Sequence, residues 1–210
     1  DETMLTDVKS GLRLEESTQL VLETSGFRLG NGEVSFSATY DIDKQLRSPF
    51  TVKWRAGSLA LGAVLHVLKG INVTLPEQTG SLAGVLSMDG DMVSLLDEER
   101  QRIILDSTTG DLTLLLAGLE LANWPVLRKI GRKVKMRKRF ETLRFAPLKL
   151  KLKLENGRVW LPRTEVQSTA LQLFIEGNFD TLKGLDLLVA IPLRNIGRGL
   201  LDTPPANTGY

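Results

Sequence analysis

Period-two alternation along most of the 210 residues predicts a mainly β protein: a strongly twisted or curled antiparallel sheet, groove-like or sandwich-like, with one or two short helices packed on it. Three observations carry this expectation. Apolar and polar residues alternate in run after run, turn chemistry separates the runs, and only two segments place their apolar residues at helical spacing.

The runs follow in order. Val34, Phe36, Ala38, Tyr40 and Ile42 share one face, against Ser35, Ser37, Thr39 and Asp41 on the other. Phe50, Val52 and Trp54 oppose Thr51, Lys53 and Arg55, and Leu148, Leu150, Leu152 and Leu154 oppose Lys149, Lys151 and Lys153. Leu171, Leu173 and Ile175 oppose Gln172 and Glu176, with Phe174 as the exception. Leu185, Leu187, Val189 and Ile191 continue the pattern. Residues 112–121 are apolar on both faces, which predicts cover on both sides. Asn31-Gly32 and Asn156-Gly157 are type I′ hairpin signals, since both central positions need positive φ. Asp89-Gly90-Asp91 and Thr109-Gly110-Asp111 are two further expected turns. The count comes to roughly ten to fourteen strands.

Two segments predict helices. Residues 58–68 place Leu61, Val64, Leu65 and Leu68 at helical spacing, with Ser58 as the cap. Residues 124–140 follow Asn123 as cap and Pro125 in the first turn, with Leu127, Ile130 and Val134 as an apolar stripe. The sequence fits a single β-rich domain over residues 1–200, with a Pro/Gly tail or linker at 201–210. A weak two-fold repeat runs over about 12–70 and 140–200, marked by residues 29–36 and their counterpart 154–161.

Chemistry-bearing groups are sparse. The chain has no cysteine, which excludes disulfides, thiolate metal sites and cysteine nucleophiles. His66 is the one imidazole, and no local motif supplies it with a nucleophile and an orienting acid. Asp97, Glu98 and Glu99 are contiguous, so on a strand their side chains diverge and the run fits a solvated loop. Gly30-Asn31-Gly32 opens no helix, so it is not a phosphate cradle, and the Asn72-Val73-Thr74 sequon is taken as chance. The expectation is a protein without catalytic residues, metal or cofactor. No apolar run reaches the roughly 18 residues of a membrane span, the start Asp1-Glu2-Thr3-Met4 is not a signal peptide, and the sequence suggests a piece of a longer chain.

The sharpest local feature is basic. Arg128, Lys129, Arg132, Lys133, Lys135, Arg137, Lys138 and Arg139 fall between Trp124 and Phe140 with no acid among them, in a chain of net charge only +2. Arg128, Lys129, Arg132, Lys133, Arg137 and Lys138 are candidates for anionic head groups at a membrane surface; the alternative is a solvated helix face held on the sheet by its apolar stripe. Aromatics interleaved on a basic sheet are missing, so nucleic acid is not expected as a partner.

Residues 50–54 followed by 57–65, residues 79–87, and above all residues 152–161, 164–168, 174–180 and 185–187 together resemble the C-terminal region of the AsmA-like family, related to TamB- and YhdP-type envelope proteins. The resemblance covers about residues 26–196 and rests on diffuse motifs: strand–Asn-Gly–strand, a Gly-x-x-Asp step at Gly177 to Asp180, and a final amphipathic strand. It implies a periplasmic body anchored in the inner membrane by a segment outside this sequence, a curved sheet with an apolar concave face, and a role in outer-membrane biogenesis or lipid movement between membranes. It brings no catalytic residues. On that basis phospholipid or another envelope lipid is the expected ligand, with Phe36, Tyr40, Trp54, Leu150, Leu152, Leu173, Ile175, Leu187 and Val189 as lipid-facing candidates and Ala38, Gly84 and Ala170 as small residues that leave room. The alternative is a structural module with a closed core that docks other envelope proteins through its sheet edges and carries no lipid.

Overall fold

The computed structural model describes residues 5–15, 19–42, 47–70, 80–97, 102–133, 135–180 and 184–192. Its strands are β1 (Leu5–Glu15), β2 (Gln19–Leu29), β3 (Gly32–Asp41), β4 (Arg47–Ala60), β5 (Ser81–Asp97), β6 (Arg102–Ala122), β7 (Thr142–Arg144), β8 (Leu148–Glu155), β9 (Arg158–Gln167), β10 (Gln172–Asp180) and β11 (Gly184–Ala190). All belong to one antiparallel sheet in which ladder order repeats chain order, from β1 at one edge to β11 at the other. Short β7 pairs with the end of β6, alongside β8. Among the described residues the sheet is open, as β1 pairs only with β2 and β11 only with β10. The mainly β expectation, its strand number and its antiparallel sense are therefore met.

Hairpin chemistry explains the meander. Asn156 and Gly157, at φ 51° and 72°, form the two-residue loop between paired Glu155 and Arg158, a type I′ turn. The first hairpin differs from expectation by one residue. Its loop is Gly30-Asn31, closed by paired Leu29 and Gly32, and only Gly30 has positive φ (59°). Glycine at the first central position is the type II′ pattern. Pro162, which has no N–H to give a ladder, marks the bulge where pairing skips from Leu161↔Gly177 to Thr164↔Ile175.

Two expected turns are strand interiors. Asp89-Gly90-Asp91 lies within the 17 residues of β5, and Thr109-Gly110-Asp111 within the 21 of β6. Gly90 is paired with Trp54, and a Cβ there would come within 2.8 Å of the indole and 2.7 Å of Asp111 O. The glycine makes room for an aromatic ring crossing from the next strand; it does not turn the chain. Gly110 is crowded in the same way by the Asp91 backbone.

Both helices are shorter than expected. α1 covers Leu61–Gly70. Ser58 is not its cap: it lies in β4 at φ 57°, inside a bulge between Ala56 and Leu59, and its N–H donates to Ser87 Oγ at 3.2 Å. α2 covers only Pro125–Lys133. Asn123 is not the cap either, since it is left-handed (φ 61°) and the first helical bond is accepted by Trp124 O from Arg128 N at 3.0 Å. Pro125 sits at the first helical position, where no N–H is missed. Lys135 at φ 58° ends the helix, and a separate 3-10 turn follows at Arg137–Phe140. Val134 and the tail at 201–210 lie outside the described residues.

Two small clusters of buried apolar residues sit at one end of the strands. Leu61 and Val64 of α1 pack over Leu29, Ala56, Leu59 and Leu86. Leu127 and Ile130 of α2 pack over Phe140, Leu143, Ala170 and Leu171. Residues 112–121 are not covered on both sides, because Leu115 is 42% exposed on the face turned away from α1. Gly90→Val should cost about 1–3 kcal/mol through overpacking against Trp54; urea unfolding would show this as a lower midpoint with unchanged slope.

Candidate functional site

Ladder register fixes which side chains share a face. Phe36 pairs with Trp54, Trp54 with Gly90, Gly90 with Leu112, and Leu112 with Leu152. The next row runs Leu12, Leu22, Ala38, Val52, Met92, Gly110, Leu154, Val159 and Phe179. The row beside it places Tyr40 against Phe50. On β10 and β11, Leu173 and Ile175 alternate onto the same side, with Ile175 opposite Val189 and Gly177 opposite Leu187. All the lipid-facing candidates, from Phe36 to Val189, thus lie on one face of one sheet. From β3 to β11 that face is roughly 34 Å wide at about 4.8 Å per strand.

No second sheet covers this face among the described residues, and the major strand contacts are between ladder neighbours. Phe36, Tyr40, Trp54, Leu150, Leu152, Leu173 and Ile175 are only half-buried, while Phe179, Leu187 and Val189 are exposed. Sequence reasoning missed Met92, Leu112 and Phe179, the first two because supposed turns at Gly90 and Gly110 hid the continuity of their strands. Of the small residues expected to leave room, only Ala38 stands on the open part of the face. Ala170 is fully buried under α2, and Gly84 (φ 147°) is a bulge residue whose added Cβ would meet Leu61 of α1 at 3.0 Å.

The two ends of the face differ. At one end α1 and α2 roof it over. At the other, one residue of β5, Ser94, faces four of β6, residues 105–108, because pairing skips from Val93↔Thr109 to Leu95↔Ile104. Hydroxyls satisfy the bulge. Ser94 Oγ lies 2.8 Å from Thr108 Oγ1, Ser107 Oγ donates to Ile104 O at 2.7 Å, and Leu95 N donates to Ser107 Oγ at 3.0 Å. Ser48, Ser94 and Thr108 are all buried. The opposite face is polar, with Lys53, Asp91, Asp111 and Lys153 in one cross-strand row, so each aspartate has a cation on its far side. Phe174, the exception to the alternation, points to this face and is covered by the Arg163 guanidinium, 4.8 Å from the ring centroid.

The basic candidates Arg128, Lys129, Arg132, Lys133, Arg137 and Lys138 are all exposed on α2 and the 3-10 turn, together with Lys135 and Arg139. Arg137 lies 3.8 Å from Glu141. Leu127 and Ile130 face the core beneath, so the stripe-and-charge division expected from the sequence holds on the described part of the helix.

His66 is exposed on α1. Among the described residues, no group of three or more potential ligands could hold a metal ion. Glu98 and Glu99 lie outside them, while Asp97 ends β5. No helix of the described residues is long and apolar enough to cross a membrane. Comparison with family models, with curated proteins and with solved structures finds no match.

The difference between roofed and open parts of the face is measurable. Leu171→Asp puts a carboxylate at a site 2% exposed and should unfold the chain or cost about 3 kcal/mol or more. Leu152→Asp, on the open part, should cost about 1 kcal/mol, since a half-buried carboxylate keeps much of its hydration. Chemical denaturation of the two variants side by side checks this.

Proposed function

We propose that this chain is a non-catalytic segment of an AsmA-like bacterial cell-envelope protein that holds or guides lipid acyl chains along the apolar face of its sheet. The observation that carries the reading is the continuity of that face from Phe36 to Val189, with no covering layer among the described residues. A monomer rarely leaves so wide an apolar strip to water, which makes an apolar ligand its natural cover. Acyl chains suit it energetically. A tail passing from a bilayer to the sheet leaves one apolar medium for another, so the roughly 0.8 kcal/mol per methylene gained over water nearly cancels in the exchange and lipid moves reversibly. The family resemblance adds outer-membrane biogenesis or intermembrane lipid transport as the setting, the periplasm as the site, and an inner-membrane anchor outside this sequence.

A second reading is a structural module that docks other envelope proteins. The edge strand β11 favours it. Leu187 and Val189 are exposed on one face and Leu188 on the other, so a pairing strand would find apolar cover to make on both sides.

Native mass spectrometry of the purified 210-residue chain separates the two. The lipid reading expects bound phospholipid, reduced by Leu152→Asp while the fold persists. Lipid-free protein from a lipid-containing host, before and after incubation with phospholipid, would reject it in favour of the module. His66→Ala should leave lipid occupancy and cellular function unchanged, since His66 is exposed on α1 and belongs to no metal-ligand group among the described residues; loss of function in a folded variant would contradict a non-catalytic role.

A further inference from the structure

The basic segment between β6 and β7 has a construction that the acyl-chain reading does not use. α2 ends in a Schellman-type cap, with Met136 N donating to Gly131 O at 2.8 Å and Lys135 N to Arg132 O at 3.3 Å. The left-handed position in such a cap is normally glycine, but here it is Lys135 at φ 58°. A lysine in that conformation strains the backbone where glycine would not. Around it, among the described residues, Arg128, Lys129, Arg132, Lys133, Lys135 and Lys138 are exposed and make no ion pair. Like charges so close together repel one another, and the chain has placed a further cation at a position that disfavours it. Strain and unneutralised charge at one spot point to an external anion.

The surroundings favour a lipid surface over another polyanion. Leu127 and Ile130, on the underside of α2, pack into the core that Leu173 also joins. Leu173 in turn begins the open apolar strip that continues through Ile175, with Val189 and Leu187 exposed on the adjoining strand. Cations and an uncovered apolar strip therefore adjoin at the helix-bearing end of the sheet, in the order of an anionic head group and its tails. At the far end the side chains bonded around Ser94 are neutral hydroxyls, and the nearest described cations in the ladder, Arg47 and Arg102, are both in register with Asp97.

We propose that α2 and the 3-10 turn dock the protein on a bilayer surface rich in anionic phospholipid, making this end of the apolar face the one at which lipid enters or leaves. The proposal rests on the acyl-chain reading for its purpose, but docking and lipid occupancy are read separately. Flotation of the 210-residue chain with vesicles of phosphatidylcholine alone, or of equal parts phosphatidylcholine and phosphatidylglycerol, tests the docking. Binding should require phosphatidylglycerol and fade at 1 M salt, where the Debye length is about 3 Å. Each cation removed should weaken it roughly fivefold, so Arg132→Glu, Lys133→Glu and Arg137→Glu together should abolish it with the circular dichroism spectrum unchanged. Lys135→Gly separates the site from the fold, since it should raise the melting temperature by roughly 2–4 °C as strain is relieved while still lowering vesicle affinity. Equal binding to both vesicle types, indifference to the charge reversals, or tighter binding to an RNA oligonucleotide than to the acidic vesicles would each overturn the proposal. Docking without any co-purified lipid would support the docking surface and overturn the lipid entry route together with the acyl-chain reading.

Discussion

The rest of the structure depends on register in the hydrogen-bonded ladder. With both core clusters at one end, the sheet is held across most of its width by pairing between neighbours, and a slip of one residue in any strand would turn its apolar side chains to the charged face. The ladder avoids this over its whole span. Phe36, Trp54, Leu112 and Leu152 stay on one side while Lys53, Asp91, Asp111 and Lys153 stay on the other. Bulges at Ser58, Ser94 and Pro162 absorb the extra residues locally, and a two-residue turn at Asn156-Gly157 fixes the pairing beyond.

Seen this way, the helices close one end of the sheet and do not form a second layer. α1 and α2 are placed where β4 and β6 finish, so their apolar stripes meet the same end of the same face. The opposite end is closed differently, by hydroxyls gathered around Ile104 O. Between the two lies the open strip. Its side chains are large, aromatic or branched, and half-exposed, a combination that a folded chain tolerates when something else provides the cover.

Much of this was legible in the sequence because period two is a local signal. Alternation at residues 34–42, 50–54 and 148–154 gave both the strands and the sidedness of their residues, and Asn156-Gly157 gave its hairpin. The misreadings share a cause: each depends on a neighbour that one strand does not reveal. Gly90 resembles a turn until Trp54 is seen lying across it. Ser58 resembles a cap until the bulge ties its N–H to Ser87 Oγ. The break at Lys135 leaves no trace in the pattern, because lysine is not a residue that announces a left-handed cap. Alternation also predicts that a face is apolar without saying what it meets, so it leaves groove and sandwich both open; the described strands form one sheet.

The tryptophans allow the central claim to be tested directly. Trp54 is half-buried on the apolar face, whereas Trp160, 41% exposed, pairs with Lys153 on the polar one. A chain retaining only Trp54, with Trp124→Phe and Trp160→Phe, can be compared with one retaining only Trp160, each mixed with phosphatidylcholine brominated along its acyl chains. Acyl chains lying along the apolar face should quench Trp54 strongly and leave Trp160 nearly unchanged. Equal quenching of both, or none of Trp54 at lipid concentrations that saturate binding, would contradict the account.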